Sequence, residues 1–335
     1  MRLGELNVSD ETALTQTRAA GRQSVVVAIC TRNRPQLLRS CLESVLGLVV
    51  PPRVQPCIVV VENDALPTCR CYVESCMREA PEPWKIVYGH EPNLGIPLAR
   101  NLSVEIALGE DPDWIAFIDD DEVVDHQWLE RMIGAAHELD CDVLQGPVEY
   151  SYQGALPEWF DTKETKQRRR GERLRTAYTN NLFMKSRVVR ADGLALRFDE
   201  AMRFSGGSDS DFFFRAVDGG ASICWVDDAF VREIVAAQRV SITWQWMRAL
   251  RVAANAATIH KKRRGPLAAW IRYLPKSLMR LLRGAGQMVC GVMVFLPSSA
   301  LGKKWLVRGG KDAASGIGSI IGLLGLTPQP YKTVD

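Results

Sequence analysis

The chain has 335 residues, of which 47% are hydrophobic and 24% charged, and this balance predicts a globular protein with one large domain and a smaller one. Its formal net charge is only +3, yet residues 241–335 hold 15 Lys or Arg against two acids, while residues 1–240 are acidic. A basic segment with long apolar stretches and no nucleic-acid motif argues against nucleic acid as a partner. It favours a membrane surface or a lipid-linked phosphate.

The nine cysteines have no regular spacing, which predicts reduced thiols and a cytosolic protein. Cys69, Cys71 and Cys76 cluster without a second ligand pair at zinc-site spacing, so we expect no zinc there. Residues 1–23 form a polar N-terminal tail, and we expect no signal peptide because the tail lacks an apolar core.

Buried strands alternate with helices through the first 120 residues. The predicted strands cover 24–30, 57–61, 85–88 and 115–118, and the predicted helices begin at Pro35 and cover 68–79 and 98–108. This alternation predicts an α/β fold with a largely parallel sheet and right-handed crossovers. Ligands bind such sheets at the carboxyl ends of the strands, where Thr31, 62–64 and 119–121 fall. No Walker loop and no Gly-rich dinucleotide fingerprint follows the first strand, which argues against a P-loop NTPase or an NAD enzyme.

The fourth of these strands runs directly into four carboxylates, residues 119–122. Side chains alternate along an extended segment, so Asp119 and Asp121 are predicted to converge on one ion while Asp120 points elsewhere. A hard divalent cation such as Mg²⁺ or Mn²⁺, shared with the phosphates of a ligand, would neutralise such packed charges. The alternative is an acidic surface turn before a helix at 127–139.

A second acidic motif lies at 204–212, where two glycines precede Asp209 and Asp211. The apolar helix predicted at 212–217 places both acids at a helix start, where Asp is a favoured N-cap.

Five segments resemble, in order, the motifs of family 2 glycosyltransferases: VAICTRNRP at 27–35, VVVEN at 59–63, NLG at 93–95, ARN at 99–101 and FIDDD at 117–121. The resemblance covers about residues 24–235 and implies an inverting enzyme of the GT-A fold that uses a nucleotide-sugar donor such as UDP-glucose. The tail, 236–335, resembles that of bacterial exopolysaccharide glucosyltransferases of the succinoglycan type.

The resemblance also implies roles for individual residues. The donor-binding set is Thr31, Arg34, Glu62, Asn63, Asn93, Gly95, Arg100, Asp119 and Asp120. The family more often has Asp where this chain has Glu62, and the alternative for Arg100 is local pairing. Asp121 and Asp119 are the implied ligands of Mg²⁺ or Mn²⁺. Asp209 is the implied catalytic base and Asp211 the second candidate, which otherwise caps or supports the helix; Ser208 departs from the Glu usual in the family.

Residues 149–178 are predicted to cover the acceptor side, with Trp159 stacking on a sugar face, although the basic run at 166–170 is equally typical of a solvated loop. Asn180 and Asn181, on a strand predicted at 178–184, are hydrogen-bonding candidates for the acceptor or simply edge residues.

The segment 236–335 is predicted to associate with a membrane. Around Trp270, apolar residues mix with Arg and Lys as in a helix that lies in a membrane interface. Two uncharged stretches, 284–302 and 313–331, leave a true span or re-entrant pair as an alternative, and a soluble helical cap or dimer contact as another. The predicted location is the cytoplasmic face of the bacterial inner membrane, with the protein peripheral or monotopic.

Together these features predict sugar transfer to a saccharide acceptor, linked to a polyprenyl diphosphate, in exopolysaccharide or cell-surface glycan synthesis. One alternative is a sugar nucleotidyltransferase, which would need a Gly-rich phosphate loop that residues 31–35 lack. Another is a non-catalytic GT-A-like binding or scaffold subunit of a polysaccharide assembly complex.

Overall fold

The computed structural model describes residues 21–162, 167–296 and 298–326. The predicted N-terminal tail, 1–23, therefore lies almost wholly outside the described residues. Lys166 of the basic run and the last residues of the second uncharged stretch, 327–331, also lie outside them.

The first part of the chain alternates strands and helices as predicted. Its elements are β1 (Gln23–Thr31), α1 (Pro35–Leu46), β2 (Val54–Glu62), α2 (Arg70–Glu79), β3 (Lys85–His90), α3 (Ile96–Gly109) and β4 (Trp114–Asp119). Pro35 occupies the first turn of α1, where its missing N–H costs no hydrogen bond.

The elements that follow are shorter and less regular. They are β5 (Glu122–Val124), α4 (Trp128–Glu138), β6 (Val143–Gln145), β7 (Val148–Tyr152), β8 (Arg173–Leu174), β9 (Leu182–Lys185), α5 (Ser208–Asp218), β10 (Ile223–Trp225) and β11 (Val231–Val235), with 3-10 turns at Ser186–Val188, Glu200–Met202 and Ala237–Val240. The strand predicted at 178–184 begins only at Leu182, because Asn181 adopts a left-handed conformation with φ of 53°.

Two sheets form within the described ranges. The larger has the order β3-β2-β1-β4-β9-β6-β10-β8, in which β1 to β4 are mutually parallel and β9 and β8 run antiparallel to their neighbours. The smaller has the order β5-β11-β7. This mixed, mostly parallel α/β sheet confirms the predicted fold class.

Hydrophobic cores cover both faces of the larger sheet. Val25 and Val27 of β1 pack into one core with α1 and α4, while Val26 and Ala28 pack into the other with α3 and α5. Burial on both faces explains why these strands read as continuous apolar runs.

Three long helices end the described chain: α6 (Ile242–Arg264), α7 (Pro266–Phe295) and α8 (Ser299–Leu324). Helix α8 packs on α6 at backbone contact, since a Cβ on Gly318 would lie 2.0 Å from the Leu250 carbonyl oxygen, and one on Gly322 would lie 2.2 Å from that of Ala254. The Gly-rich composition of this stretch therefore serves close helix packing.

Helix α7 leaves an apolar face uncovered, with Leu267, Ile271, Leu278 and Leu282 all exposed. Of the helices in the described ranges, α7 alone is long and apolar enough to cross a membrane, judged by length and composition. One such helix is weak evidence, so membrane association stays a prediction.

The structure pairs Cys141 with Cys224 in a disulfide, across 83 residues of sequence. The prediction that all nine thiols are reduced is therefore wrong for this pair. Neighbouring strands β6 and β10 bring the two cysteines together, a contact that spacing in the sequence does not reveal.

Candidate active site

The carboxyl ends of β1, β2 and β4 lie side by side at one edge of the larger sheet. The parallel register pairs Thr31 with Glu62 and Cys30 with Asp119, so the polar residues that follow these strands converge. The structure thus brings together the three polar segments that the sequence places at this edge.

A hydrogen-bonded clamp joins the loop after β1 to the acidic turn after β4. The Thr31 hydroxyl donates to Asp120 Oδ2 at 2.8 Å, and Arg34 Nη1 donates to Asp120 Oδ1 at 3.0 Å. The same nitrogen of Arg34 lies 3.7 Å from Asp121 Oδ2. Arg34 keeps 41% of its side-chain surface exposed, so the guanidinium can also contact a ligand.

The acidic turn departs from the alternation expected of a strand. Strand β4 ends at Asp119, and the chain then turns so that Asp120 and Asp121 share the Arg34 guanidinium. The prediction that Asp120 points away from Asp121 is therefore wrong, because it assumed that the extended conformation continues. Asp119 faces Arg100, whose Nη2 lies 4.0 Å from Asp119 Oδ1.

Excess negative charge remains at this turn. Burial raises the pKa of Asp119 to about 7 together with the carboxylates of Asp121 and Asp120, although Arg100 opposes the shift. Glu122 is buried behind the turn, and burial and Asp119 raise its pKa well above the usual range. Its Oε2 accepts from the Asp119 backbone N–H at 2.9 Å, whereas Oε1 has no partner in the part of the chain that the structure describes.

These residues fit a hard divalent cation. Although protein groups surround Asp119 closely enough to desolvate it, its side chain keeps 45% of its surface exposed, and Asp121 uses only Oδ2 for its contacts with arginines. An oxygen of each carboxylate therefore remains for a metal. Within 21–162, 167–296 and 298–326, no group of three or more His, Cys, Asp or Glu side chains could hold a metal on its own. Mg²⁺ or Mn²⁺ would therefore also need oxygen atoms from a bound ligand, as is usual for ions that bind phosphates.

Arg239 completes the cationic side of this turn, and the sequence analysis did not assign it to the site. Its Nη2 donates to Asp121 Oδ2 at 2.9 Å and its Nη1 to Glu233 Oε1 at 2.8 Å. Strand β11 lies antiparallel to β5, with Glu233 opposite Glu122 in the register. This strand pairing brings Arg239 close to Asp121, from which it is separated by 118 residues of sequence. The local signal was only that a basic residue follows the acid Glu233 by six positions.

Glu62 organises the loop after β2. It is fully buried, and its carboxylate accepts from the Thr68 N–H and hydroxyl, the Cys69 N–H and the Tyr88 hydroxyl, at 2.6–3.1 Å. Burial disfavours the charged form, but these hydrogen bonds outweigh it and hold the pKa of Glu62 below its usual value. In this conformation both oxygens of Glu62 accept hydrogen bonds from the protein. Neither oxygen is therefore free for the contact with the nucleotide-sugar that the sequence predicts.

Asn63, Asn93 and Gly95 form one supporting loop. Asn63 Nδ2 donates to the carbonyls of Glu91 and Asn93, and its Oδ1 accepts from the Gly95 N–H at 2.8 Å. Gly95 has φ of 154°, and a Cβ there would lie 2.7 Å from Arg203 Cβ. Glycine is thus needed at this position for the close approach of Arg203.

Arg100 connects the two acidic motifs. From α3 it lies 4.0 Å from Asp119, and its Nη1 donates to the Ser208 hydroxyl at 3.4 Å. Its guanidinium also stacks 5.6 Å from the centre of the Phe198 ring. Because Ser208 begins α5, Arg100 bridges the acidic turn and the start of the helix that carries Asp209.

The two acids on α5 have different surroundings. Asp209 is half-buried and makes no ion pair with a described residue; its Oδ1 accepts from the adjacent Ser210 N–H. Asp211 is buried and accepts from Arg215 Nε at 2.8 Å, with Lys262 Nζ at 3.9 Å. Helix α5 begins at Ser208, earlier than predicted, so neither acid caps it and Asp211 supports it through Arg215.

Helix α6 holds the loop that precedes Asp209. Gly206 and Gly207 both have positive φ, and Asn255 Nδ2 of α6 donates to the carbonyls of Ser205 and Gly206 at 2.9 and 3.0 Å. The basic C-terminal region thus takes part in positioning the second acidic motif.

Trp159 lies in a loop that is fixed to α8. Asp161, two residues later, pairs with Lys304 and Arg308 at 2.8 and 3.0 Å. Trp159 itself is half-buried and packs edge-to-face on Phe160, with ring centres 6.0 Å apart.

The side-chain amide of Asn181 forms its hydrogen bonds inside the protein. Its Oδ1 accepts from Trp128 Nε1 at 2.7 Å, and its Nδ2 donates to the carbonyls of Pro147 and Ala229. The side chain is fully buried, so the structure does not place Asn181 where an acceptor could reach it. Asn180 is half-buried and stays an acceptor-side prediction.

Comparisons with known proteins agree with this arrangement. Residues 26–203 match the family described as glycosyl transferase family 2. The chain is 32% identical to the succinoglycan biosynthesis protein ExoM of Rhizobium meliloti over 307 residues, which cover 90% of this chain and 93% of ExoM. It is 26% identical to glycosyltransferase AglE of Haloferax volcanii over 213 residues, covering 61% of this chain and 64% of AglE.

The fold also resembles solved structures. The crystal structure of S. aureus TarS superposes with a TM-score of 0.50 at 13% identity, covering 85% of this chain and 55% of TarS. The TarS fragment 1–349 in complex with UDP gives 0.50 at 14% identity, covering 85% and 90%. At these identities the likeness shows a shared GT-A-like fold.

Proposed function

Because this chain belongs to glycosyltransferase family 2, we propose that it is an inverting hexosyltransferase that moves a sugar from a nucleotide-sugar to a saccharide acceptor. Its similarity to a succinoglycan biosynthesis protein along nearly its whole length supports a place in exopolysaccharide or cell-surface glycan synthesis. A TarS structure with bound UDP supports a UDP-hexose, such as UDP-glucose, as the donor.

The donor diphosphate is proposed to lie at the acidic turn. Arg34 and Arg239 bring two guanidinium groups to Asp120 and Asp121, and such groups match phosphate oxygens in a planar fork. Asp121 and Asp119 would hold Mg²⁺ or Mn²⁺, which when bound offsets the negative charge of the departing diphosphate. Glu62 and Asn63 shape the loops around this cleft, and Thr31 holds Asp120 in place.

Asp209 is proposed as the catalytic base. It would take the proton of the acceptor hydroxyl as that oxygen attacks the anomeric carbon opposite the leaving diphosphate. The observation that carries this assignment is the contrast on α5: Asp209 is half-buried without an ion pair among the described residues, whereas Asp211 is buried against Arg215. The contacts of Arg100 with Asp119 and with Ser208, the neighbour of Asp209, support this assignment.

The acceptor is proposed to be linked to a polyprenyl diphosphate and to be met at the cytoplasmic face of the inner membrane. Support comes from the exposed apolar face of α7 and from the many cations of the C-terminal region. Trp159 and Asn180 are the acceptor-side candidates.

The test is release of UDP from UDP-glucose and other nucleotide sugars, with Mg²⁺ or Mn²⁺ and membrane lipid extract as the acceptor source. Asp121→Asn and Asp209→Asn are compared with the exposed control Asp192→Asn. We expect release to require the metal, the extract and both site aspartates, and to survive in the control. Function that persists in Asp209→Asn would favour the scaffold alternative instead.

A further inference from the structure

A basic groove lies between α6, α7 and α8, outside the acidic site. It is a cavity of about 560 Å³ whose cations are Arg248 of α6, Arg272, Lys276 and Arg280 of α7, and Lys311 of α8. No Asp or Glu is among its lining residues. Five positive charges therefore face one concave surface without a carboxylate between them.

The cations of this groove differ from their neighbours on the same helices. Outside the groove, Arg283 pairs with Asp312, Lys304 and Arg308 pair with Asp161, and Arg263 pairs with Asp218. None of the five groove cations forms an ion pair with a residue in the described ranges. Partial burial lowers the pKa of Lys311; the carboxylate of Asp161 opposes this shift, and the charges of Arg248 and Arg308 add to it. The groove is thus a region of excess positive charge, which an anion would neutralise.

Apolar surface adjoins these charges. Val252, Ala253 and Tyr273 line the same groove. The exposed apolar face of α7, which includes Ile271 and Leu278, runs beside Arg272 and Lys276 along the helix. This juxtaposition matches an amphiphile that has a compact anionic head and a long apolar chain.

The groove and the loop before the proposed catalytic base share helix α6. Arg248 of the groove lies two helical turns before Asn255, which holds the loop that precedes Asp209. Burial and Asp209 raise the pKa of Tyr178, while Arg168 and Arg248 oppose that shift. A ligand in the groove would therefore contact the same helix that positions the loop of the base.

We propose that this groove binds the phosphate head of the lipid-linked acceptor, with the isoprenoid chain lying along the apolar face of α7. The proposal rests on the proposed function and assigns the residues that bind the acceptor. Guanidinium and ammonium groups form charge-assisted hydrogen bonds to phosphate, while the apolar chain adds burial. The saccharide beyond the phosphate would then extend toward Asp209.

The test measures binding of farnesyl diphosphate to the full chain in non-ionic detergent by calorimetry. The groove variant is Arg272→Gln with Lys276→Gln, and the matched control is Arg264→Gln with Lys303→Gln, which removes the same charge from exposed positions outside the groove. We expect the groove variant to bind at least about tenfold more weakly and the control to bind like the native chain, because two charge-assisted contacts are lost only in the former. Inorganic pyrophosphate should bind more weakly than farnesyl diphosphate, since it has no apolar chain.

Equal weakening in both double variants, or no weakening in either, would overturn the proposal. Pyrophosphate binding as tight as farnesyl diphosphate would overturn the lipid assignment and leave an anion site. Binding to phosphatidylglycerol vesicles is measured as a control for non-specific attraction between cations and an anionic surface. We expect both double variants to weaken vesicle binding equally, because each removes two positive charges. UDP release from the nucleotide-sugar separates this proposal from the proposed function. If the groove variant loses farnesyl diphosphate binding but still releases UDP like the native chain, the groove is not the acceptor site and the proposed transfer stands. If the native chain binds farnesyl diphosphate but releases no UDP, and Asp209→Asn behaves in the same way, the proposed transfer is refuted.

Discussion

Replacing Glu62 by Leu tests whether this carboxylate is a structural acceptor, as the geometry indicates. Leucine is apolar and similar in length, but it accepts no hydrogen bond. The buried Cys69 N–H then loses its acceptor, while the exposed Thr68 and the partly exposed Tyr88 hydroxyl can turn to water. One buried unsatisfied donor plus weakened contacts to two other groups should lower the free energy of unfolding by about 2–4 kcal/mol.

Glu62→Gln should cost less, about 1 kcal/mol, because the amide oxygen can keep the contacts of Oε1 and the amide NH2 can donate to the Tyr88 hydroxyl in place of Oε2, so that the charge and one acceptor are lost. The pKa of Glu62 lies below its usual value of 4.5 in the folded protein, so its charge stabilises the fold above that value and the contribution disappears as pH falls through the folded pKa. The difference in the free energy of unfolding between the native chain and Glu62→Gln should therefore be largest at pH 7 and should disappear at acidic pH.

Urea unfolding at pH 7 and at acidic pH measures these differences, with the exposed Glu43→Gln as the matched control. The expected order of destabilisation is Glu62→Leu, then Glu62→Gln, then the control near zero. If Glu62→Leu unfolds like the native chain but binds UDP much more weakly, then Glu62 contacts the donor and the structural account is refuted.

Four further outcomes follow from the site and the helices. Asp209→Asn should lower turnover about 10²- to 10⁴-fold with UDP binding unchanged, and equal UDP binding and turnover would remove it as the base. Asp211→Asn should instead lower the melting temperature, since it weakens a charge-assisted hydrogen bond to Arg215 that contributes about 1.5–3 kcal/mol; an unchanged melting curve would contradict this. Arg239→Gln should weaken metal-dependent UDP binding in titrations while Arg232→Gln, exposed on the same strand region, does not. Gly322→Val should destabilise the C-terminal helices, seen as lost helical circular dichroism, because its side chain meets a carbonyl of α6; full retention would contradict that packing.

The sequence predicted most of what depends on local pattern. Strands β1 to β4 are apolar runs separated by amphipathic helices, so periodicity predicted the elements and their parallel arrangement, but not their order in the sheet. The edge at which Thr31 and Asp119 meet follows from the same reasoning.

What failed depends on contacts between distant segments. Arg239 reaches Asp121 through the pairing of β5 with β11, and nothing local to Arg239 indicates that pairing. Asn181 was an acceptor-side candidate because its segment resembles the one that flanks the acceptor in family 2 glycosyltransferases, yet its left-handed backbone turns the amide inward to Trp128. The position of Asp120 was mistaken because the strand ends one residue earlier than the alternation required.

The amide of Asn255 bears on how such chains can diverge. Because the Asn255 side chain of α6 donates to two carbonyls of the loop before Asp209, the C-terminal helices and the sheet domain are coupled at that loop. We expect an exchange of the C-terminal helices between relatives to disturb this loop unless the incoming helix keeps a hydrogen-bond donor at position 255.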